Sequence, residues 1–592
     1  MIDSFHLPSR YALSLIGQVT IERIDAFAIL MGMIGGLALF LFGMDKMADS
    51  LKLVAGKGMK NVLAKLTTNR FTGALAGALV TAIMQSSSVT TVLVIGFISV
   101  QLMTLTQSIG VIMGANIGTT ITAQVIAFKV TKYALLMIGI GFAFSLLSKH
   151  EKIRQYGDIL FGLGLIFFGM HLMSEGAEPL RSYAPFIDMM KKMDNPLYAI
   201  VLGTLFTAII QSSSATTGIV IVLASQGLIT LEAGIALVFG SNIGTCVTAM
   251  LASIGKPRDA VRASVVHVVF NVGGVLIWFF FIPILAEICQ AVSPAAPKLE
   301  GAQRLGAELP RQIANAHTIF NVANTLIFIW FTGPIARLVC LIVPDKIEKV
   351  IETGKPKYLD ELLISTPSLA MDLVRMELGR MGAAALYMVR QCLPKILDGS
   401  SKDLDTLQRM DDDVDKLHGA MIIYLGRLSK EKLSSSQSQQ LNEYLSAANY
   451  IESIADLVES NLADLGRQRI ERSITIGPQT RKMLKDLHEK VTVNAHNAIR
   501  ALVENDVDLA QTVLDAKKAI NELSSKTESH LTSRLAADEP NRLYTFRLET
   551  EMIDYLKRVF YFAKRIAKLV IEQNTVAVKA DAEESEELVE TT

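Results

Sequence analysis

The chain has 592 residues, a hydrophobic fraction of 51% and a formal net charge of zero. This length allows more than one domain, and the balanced charge gives no indication of nucleic-acid binding. The four cysteines match neither a disulfide framework nor a zinc-ligand spacing. Because the charged residues concentrate after about residue 340, we expect a membrane domain followed by a soluble one.

The N-terminal part of the chain predicts membrane spans. Residues 1–26 lack the order of basic start, apolar stretch and small-residue cleavage site that is typical of a signal peptide. Residues 27–43 form a first apolar span, rich in the small residues that let membrane helices approach. After a basic loop at 44–70, residues 71–128 contain no Asp, Glu, Lys or Arg. A single span needs only about 20 such residues.

One motif in this uncharged block occurs twice. Residues 81–92 read TAIMQSSSVTTV and residues 207–218 read TAIIQSSSATTG, with nine of twelve positions identical. The same offset of 126 residues relates GANIGTTITA, which begins at 114, to GSNIGTCVTA, which begins at 240. Internal duplication is typical of many secondary transporters. We therefore predict two repeats, at about 30–147 and about 156–273.

The distribution of Lys and Arg in short loops predicts the orientation of the repeats. Loops 44–70 and 149–155 are rich in basic residues and are placed in the cytoplasm, whereas loop 174–194 is placed outside. Because loops 44–70 and 174–194 are equivalent, the repeats are expected to be inverted. We interpret 71–104 as a re-entrant hairpin that bends at QSSS, and 195–228 as its counterpart from the opposite face.

The rest of the chain predicts two more spans and then a soluble domain. The spans, near 263–283 and 312–333, contain HVVFNV and HTIFNV, and they complete a membrane domain at 27–343 with a linker at 344–364. Six segments with helical apolar spacing follow, and they predict a cytoplasmic helical bundle at 365–575. The acidic tail 576–592 is expected to be disordered. The predicted fold class is all-α.

The duplicated polar motifs suggest ion binding inside the membrane. A broken helix directs backbone N–H groups and a positive dipole end at an anion, and serine hydroxyls add donors. Asn116 with Thr119, and Asn242 with Thr245, offer oxygens suited to a small hard cation such as Na⁺. The alternative is that the serines only help helices to pack and that the asparagines are satisfied by neighbouring helices.

The sequence contains no motif for covalent catalysis or for ATP-driven pumping. We find no nucleophile–base pair, no HExxH and no phosphate-binding loop, so the chain is not expected to be an enzyme. An anion at the motifs would meet no Lys or Arg, and isolated charge in hydrocarbon is costly. Cations that travel with the anion would neutralise it, which is a physical reason for cotransport.

The bundle carries acids spaced for one helical face. Asp411 with Asp415, and Glu452 with Asp456, each stand four residues apart. Carboxylates so placed could bind a divalent metal, or they could form an ordinary solvated acidic face.

With these motifs the chain resembles the bacterial sodium/phosphate cotransporter family, in the type II group whose membrane half is shared with animal phosphate transporters. Its C-terminal part is similar to PhoU domains, which are helical bundles with acidic motifs. The resemblance implies a phosphate site lined by Ser86, Ser87, Ser88, Ser212, Ser213 and Ser214. It implies sodium-binding or shared contacts at Gln85, Gln211, Asn116, Asn242, Thr119, Thr245, Thr90 and Thr216. The two repeats differ directly after NIGT, where Thr120 of the first repeat is aligned with Cys246 of the second.

We therefore expect a bacterial inner-membrane transporter that moves inorganic phosphate with Na⁺ by alternating access, regulated by its PhoU-like domain. Expected partners are phosphate, Na⁺, the lipid bilayer and either further copies of the chain or a phosphate-signalling protein. No cofactor other than Na⁺ and a divalent metal in the bundle is expected. The alternatives are a phosphate exporter or channel, and a transport-inactive regulator anchored in the membrane.

Overall fold

The computed structural model describes residues 25–55, 69–128, 130–345, 354–535 and 541–590. Within these ranges all regular secondary structure is helical, which confirms the all-α prediction. Most of the N-terminal segment 1–26, residues 56–68 of the predicted basic loop and residues 346–353 of the predicted linker lie outside the described residues.

The membrane domain is built from fourteen helices within the described residues, joined by short turns. In chain order they are α1 Ala26–Ala55, α2 Arg70–Met84, α3 Ser87–Ser99, α4 Leu105–Ile126, α5 Ala134–Leu147, α6 Glu151–Ala177, α7 Ala184–Lys191, α8 Pro196–Ile210, α9 Ser213–Ser225, α10 Leu231–Ala252, α11 Arg258–Trp278, α12 Ile282–Val292, α13 Gly301–Phe328 and α14 Thr332–Ile342.

Six stretches of these helices are long and apolar enough to cross a membrane, judged on the described residues. They are Ala26–Ala55, Leu105–Ile126, Glu151–Ser182, Leu231–Ala252, Arg258–Val292 and Gln303–Ile342. A bent pair, Ala184–Asp194 with Pro196–Ile210, meets at 106° and would add a seventh if it formed one span. The chain is therefore a multi-pass membrane protein.

The first span is longer than predicted. Helix α1 continues past residue 43 to Ala55, so residues 44–55 of the predicted loop are helical. Lys46 lies in this extension, and its Nζ is 2.7 Å from a carboxylate oxygen of Asp158 on α6. The ion pair offsets the cost of placing a charge between these helices, so the first charged residues after 43 did not mark the end of α1. The two later spans are also extended, by α12 and α14.

Two helical hairpins, α2–α3 and α8–α9, carry the duplicated QSSS motif. Each arm has 13 or 15 residues, or about 20–22 Å at 1.5 Å per residue. That is less than the roughly 30 Å of a bilayer core. We call α2–α3 hairpin 1 and α8–α9 hairpin 2.

The hairpins open toward opposite ends of the membrane domain. The last turns of α3 contact the segment that leads into the bundle. Helix α10 also ends at the bundle, where Lys256 pairs with Asp360. Hairpin 2 ends beside the start of α10, about 33 Å away along that helix. This arrangement agrees with inverted repeats, although their orientation relative to a membrane remains a prediction.

Glycines bring the equivalent helices α1 and α6 into close antiparallel contact. A Cβ on Gly36 would lie 2.6 Å from the carbonyl oxygen of Gly169, and one on Gly43 would lie 2.6 Å from that of Gly162. Gly162 lies 126 residues after Gly36, and Gly169 lies 126 residues after Gly43, so the repeat relates the two pairs to each other. The two contacts are therefore related by an approximate two-fold axis.

The last pair of long helices follows a different offset, which the sequence analysis missed. Helix α11 packs on α3 and α10, and α13 packs in the same way on α9 and α4. Phe270 meets Phe328 edge to face at 5.6 Å, and Phe320 meets Trp278 edge to face at 6.0 Å. These pairs are related by an offset of 50 residues. The counterpart of α11 is thus α13, and not α5 as the predicted repeats at about 30–147 and about 156–273 would suggest.

The remaining helices form a separate bundle with its own apolar core. They are α15 Pro367–Asp398, α16 Ser401–Arg409, α17 Asp411–Leu428, α18 Ser435–Asp456, α19 Ala463–Glu471, α20 Pro478–Glu504, α21 Val507–Asp515, α22 Lys517–Ser533 and α23 Arg542–Glu590. A π-helical turn, Leu457–Leu462, joins α18 to α19. The backbone of α23 continues to Glu590, so the described part of the tail 576–592 is helical where we predicted disorder. Its alanine and glutamate content favours a helix.

Candidate functional site

Each hairpin breaks at the glutamine of its QSSS motif, as predicted. Gln85 (φ 54°) follows α2 and Gln211 (φ 58°) follows α8, both in the left-handed conformation. A residue other than glycine pays a conformational cost there. The structure thus keeps the same strained bend at both positions, and the next helix of each hairpin begins within two residues.

The three serines of each motif divide into one helix cap and two unpaired donors. The hydroxyl of Ser86 accepts the backbone N–H of Val89 at 3.3 Å, and the hydroxyl of Ser212 accepts that of Ala215 at 3.2 Å. Ser87, Ser88, Ser213 and Ser214 are buried, and no hydrogen bond from their hydroxyl or backbone N–H groups to another described residue is found. Each hairpin tip therefore presents free N–H and O–H donors at a helix N-terminus.

Thr90 and Thr216, predicted as sodium or shared contacts, tie the two arms of each hairpin together. The hydroxyl of Thr81 donates to that of Thr90 at 2.8 Å, and the hydroxyls of Thr207 and Thr216 are 2.7 Å apart. These bonds stabilise the bend. The next residues, Thr91 and its equivalent in hairpin 2, are fully buried with unpaired hydroxyls.

The NIGT motifs lie in the middle of α4 and α10. Asn116 and Thr119 bond back to the carbonyls of Ile112 and Ala115, at 3.0 and 3.2 Å. Thr245 likewise bonds to the carbonyl of Ser241 at 2.9 Å. The helices are continuous here, so the backbone carbonyls beside these glycines are not freed by unwinding. The glycines instead admit the hairpin arms: a Cβ on Gly118 would lie 2.6 Å from Cβ of Thr81.

A polar network joins α10 to α13 and has no counterpart between α4 and α11. The Asn242 amide donates to Asn321 at 3.2 Å, and its oxygen lies 3.2 Å from Nε2 of His317. At the equivalent place on α11, both ring nitrogens of His267 and the Oδ1 atom of Asn271 are buried without a partner.

The glutamines differ between the hairpins as well. Gln85 is 7% exposed and accepts a 2.8 Å hydrogen bond from Thr122 on α4. Gln211 is exposed, and the hydroxyl of Thr248, the equivalent of Thr122, is buried without a partner. The two halves of the membrane domain therefore share a sequence pattern but adopt different side-chain arrangements.

No lysine or arginine among the described residues contacts either serine triplet. On α13, Arg311 bonds to Gln124 at 2.7 Å and stacks on Phe128. A cavity of about 930 Å³ lies instead beside the turn between α9 and α10, at the far end of hairpin 2. Its lining contains three basic and three acidic residues, so it shows no preference for anions.

A second candidate site lies in the bundle. One carboxylate oxygen from each of Asp411, Asp415 and Asp456 falls within 4.8 Å of the others. Three of the four predicted ligands are thus brought together, and the fourth, Glu452, lies one turn before Asp456 on α18. Asp411 is 7% exposed and one of its oxygens has no partner. Burial, followed by repulsion from the neighbouring acids, raises the pKa of Asp411 to about 7.

The backbone beside these acids is irregular. The π-helical turn starts directly after Asp456 and contains Glu459, and such turns are frequent at functional sites. The chain also breaks at Met410, between α16 and α17. Asp411, Asp412 and Asp413 occupy the first turn of α17, where acids are favoured by the helix dipole.

The two parts of the chain match two protein families. The model of the family described as Na⁺/Pi-cotransporter matches residues 39–175 and 186–293. The model described as PhoU domain matches residues 378–464 and 484–570. The matches fall on the membrane domain and on the two halves of the bundle.

Individual relatives agree with these matches. A protein of Escherichia coli (strain K12), YjbB, named as a candidate inorganic phosphate export protein, is 26% identical over 92% of this chain and 98% of its own length. YqeW of Bacillus subtilis is 32% identical over 52% of this chain and 96% of its own length. The sodium-dependent phosphate transport protein 2C of Rattus norvegicus is 41% identical over 15% of each chain. The crystal structure of PhoU from Pseudomonas aeruginosa covers 34% of this chain and 95% of its own, with 19% identity and a TM-score of 0.32.

Proposed function

The chain belongs to the Na⁺/Pi-cotransporter family and carries a C-terminal PhoU domain, and on this premise we propose that it carries inorganic phosphate across the bacterial inner membrane together with Na⁺. The observation that carries the proposal is the pair of equivalent hairpin tips, where two buried serines of each tip form no hydrogen bond through their hydroxyls to another described residue. Relatives named for phosphate export and for sodium-dependent phosphate transport support phosphate as the anion.

The serines act as the phosphate-binding residues in this proposal. Phosphate oxygens are strong acceptors, and Ser87 and Ser88 offer hydroxyls and N–H groups at the start of α3. Ser213 and Ser214 offer the same groups at the start of α9. The positive ends of both helix dipoles favour an anion there. Ser86 and Ser212 contribute indirectly, because they cap these helices.

Sodium ions supply the positive charge that the chain itself does not place at the tips. Side-chain oxygens of Asn116, Asn242, Gln85 and Gln211 are the proposed ligands. Neutralisation by cotransported cations lowers the cost of burying the anion. An excess of cations would also couple transport to the membrane potential, which contributes roughly 2.3 kcal/mol per elementary charge per 100 mV.

Alternating access is supported by the unequal state of the two halves. The bond between Gln85 and Thr122 is formed in hairpin 1, and the equivalent groups in hairpin 2 are apart. A transporter built from equivalent halves can interconvert two states by exchanging these arrangements. The described arrangement would then be one of the two.

We place the bundle in the cytoplasm. Lys256 and Arg258 lie at the end of the membrane domain that faces the bundle, in agreement with the excess of basic residues in cytoplasmic loops. Asp411, Asp415 and Asp456, with Glu452 beside them, would hold a divalent cation. The orphaned oxygen of Asp411 fits that role, because a cation would replace the hydrogen-bond partner that the oxygen lacks.

Transport in proteoliposomes tests the function directly. Phosphate uptake is measured with a Na⁺ gradient directed inward, with the gradient reversed and without Na⁺. We expect flux that follows the Na⁺ gradient in direction and is lost without it. Flux that ignores Na⁺ would favour the second candidate, an exporter or channel, which the name of the E. coli relative supports. A complete lack of flux would favour a membrane-anchored regulator.

A further inference from the structure

A short segment between the last membrane helix and the bundle contacts hairpin 1. Residues 358–366 contain a single turn, Glu361–Leu363, and Leu363 is fully buried. Its side chain joins the apolar cluster that contains Leu93 and Phe97 of α3. Although it precedes the bundle in sequence, this segment therefore belongs to the packing of the membrane domain.

Leu363 occupies space that exists only because residue 96 is a glycine. A Cβ on Gly96 would lie 2.9 Å from both Cδ2 and Cγ of Leu363, a separation that real Cβ atoms essentially never show, so a larger residue at position 96 would displace the leucine side chain. The equivalent residue in hairpin 2 is Val222, which is also fully buried. The two hairpins thus differ at the position where one of them receives a side chain from outside the membrane domain.

The segment is held on both sides. The Asp360 carboxylate lies 2.8 Å from Nζ of Lys256, which joins the segment to the turn after α10. The Asp360 carbonyl accepts a 3.0 Å hydrogen bond from the buried hydroxyl of Tyr424 on α17. Arg427 of the same helix pairs with Glu361. The segment therefore connects the bundle to the membrane domain. It does so beside two direct contacts, the ion pair of Lys432 with Asp49 of α1 at 2.7 Å and the packing of Leu369 and Leu373 of α15 in the same apolar cluster.

A second anchor fixes the start of the segment. The fully buried carboxylate of Glu377 on α15 accepts the backbone N–H groups of Lys357 at 2.9 Å and of Tyr358 at 2.6 Å. A buried carboxylate that lost these donors would be costly. The segment consequently follows α15 when the bundle moves.

We propose that Leu363 is a positioning residue for hairpin 1: seated against Gly96, it sets the position of α3 and so of Ser87 and Ser88. Gly96 and Ser88 are eight residues apart on one helix, or about 12 Å along its axis. A helix transmits a displacement at one end to the other because it moves as a rigid element. Through this contact the bundle controls the phosphate-binding tip of hairpin 1 and not that of hairpin 2. The inference rests on the proposed function, because that function makes the tip a phosphate site. The contact between Leu363 and Gly96 can be tested without measuring transport.

The test uses substitutions on both sides of the contact in the full-length protein. Leu363→Ala empties the space, and Gly96→Val introduces the residue of hairpin 2 and expels the leucine. The double variant places a side chain in the space that Leu363→Ala vacates, so it should restore the packing. Leu487→Ala, at a fully buried leucine of the bundle core, is the matched control for loss of apolar packing alone.

The first readout is the rate at which a water-soluble maleimide labels the thiol introduced by Ser86→Cys. The background carries Cys340→Ala, because the other three native cysteines are buried. Coupling through packed side chains changes equilibria by roughly 2- to 30-fold. We expect Leu363→Ala and Gly96→Val each to change the labelling rate at least about fivefold, and the double variant to return it to within about twofold.

The second readout is phosphate flux in proteoliposomes, measured without the labelling substitutions. Both single variants should lower the maximal rate, the double variant should recover it, and Leu487→Ala should leave both readouts unchanged. Wild-type labelling rates in a folded Leu363→Ala variant would overturn the proposal, as would a double variant that behaves like the sum of its parts. If the unsubstituted protein moves no phosphate, the proposed function fails, and the labelling rates alone decide the role of Leu363.

Discussion

Thr122 donates a 2.8 Å hydrogen bond to the side chain of Gln85, and the equivalent Thr248 and Gln211 form no such bond. The two pairs have the same residue types at the same offset. The difference therefore cannot come from sequence at these positions, and it must come from the arrangement of the surrounding helices.

This difference predicts unequal effects of one substitution made twice. Thr122→Val leaves the buried amide of Gln85 without its donor, which should lower the free energy of unfolding by about 1–3 kcal/mol. Thr248→Val removes a hydroxyl that is already unpaired, so it should be neutral or slightly stabilising. Thermal unfolding of the two purified variants in detergent compares them directly. Equal losses would show that both hairpins form the bond.

Substitutions of the capping serines and of the other serines are expected to have different effects, the first on stability and the second on transport. Ser86→Ala and Ser212→Ala remove helix caps and should cost about 0.5–2 kcal/mol of unfolding free energy. Ser87→Ala and Ser213→Ala remove hydroxyls without a protein partner, so they should leave stability unchanged and lower phosphate affinity. The measurements are thermal unfolding and the concentration dependence of phosphate uptake. Unchanged uptake in the Ser87→Ala and Ser213→Ala variants would contradict the proposed phosphate site.

The acidic cluster predicts a pH dependence. The pKa of Asp411 is about 7 in the fold and near 4 in an unfolded chain. Between these values the folded state keeps a proton that the unfolded state has lost, so the free energy of unfolding of the bundle should fall as the pH rises from about 4 to 7. A divalent cation such as Mn²⁺ should displace the proton and reverse this fall above pH 7.

Two substitutions check that assignment. Asp411→Asn should flatten the pH profile and weaken Mn²⁺ binding, whereas Asp412→Asn, at the exposed neighbour, should do neither. Unfolding of the full-length protein by chemical denaturant, followed from pH 4 to 8 with and without Mn²⁺, gives both results. Identical profiles for the two variants would argue for an ordinary solvated acidic face.

The glycine contact between α1 and α6 predicts opposite signs for adjacent substitutions. A Cβ on Gly36 would meet the backbone of Gly169, whereas one on Gly35 would meet nothing within 4 Å. Gly36→Ala should therefore destabilise the protein by about 1–3 kcal/mol through overpacking. Gly35→Ala should stabilise it by up to about 1 kcal/mol through helix propensity. The yield of folded protein and its unfolding temperature in detergent measure both effects.

The helix breaks at Gln85 and Gln211 could be predicted from the sequence. A polar cluster that occurs twice in an apolar block is unusual, and all of its residues are adjacent in the chain. The sequence also paired Asp411 with Asp415 and Glu452 with Asp456, since a spacing of four residues directs each pair to one helical face. That the two helices bring Asp456 to Asp411 and Asp415 is shown only by the structure. The sequence did not predict the pairing of α11 with α13, because their offset of 50 residues differs from the 126 of the other elements. The sequence shows His267 and His317 in equivalent motifs, but not that only His317 has a hydrogen-bond partner. That difference depends on packing between helices that are distant in the sequence.

The importance of Gly96 was also hidden from the sequence. A glycine in an apolar helix has many explanations, and only the structure shows Leu363 against it. The difference between Gly96 and Val222 is one of six between the thirteen residues of α3 and the thirteen of α9, so the sequence alone does not single it out. The residue that packs against Gly96 is Leu363, which lies 267 residues further along the chain.

If the proposed function holds, the two hairpins act as gates. A stiffened bundle would then reach hairpin 1, whose base lies beside it, and not hairpin 2, whose base lies at the far end of the membrane domain. A carrier needs both gates to complete a cycle. Locking the inner one would stop net movement in either direction, yet the outer gate could still open and exchange its ions with the medium. The cell could therefore halt such a carrier from within without emptying its binding site.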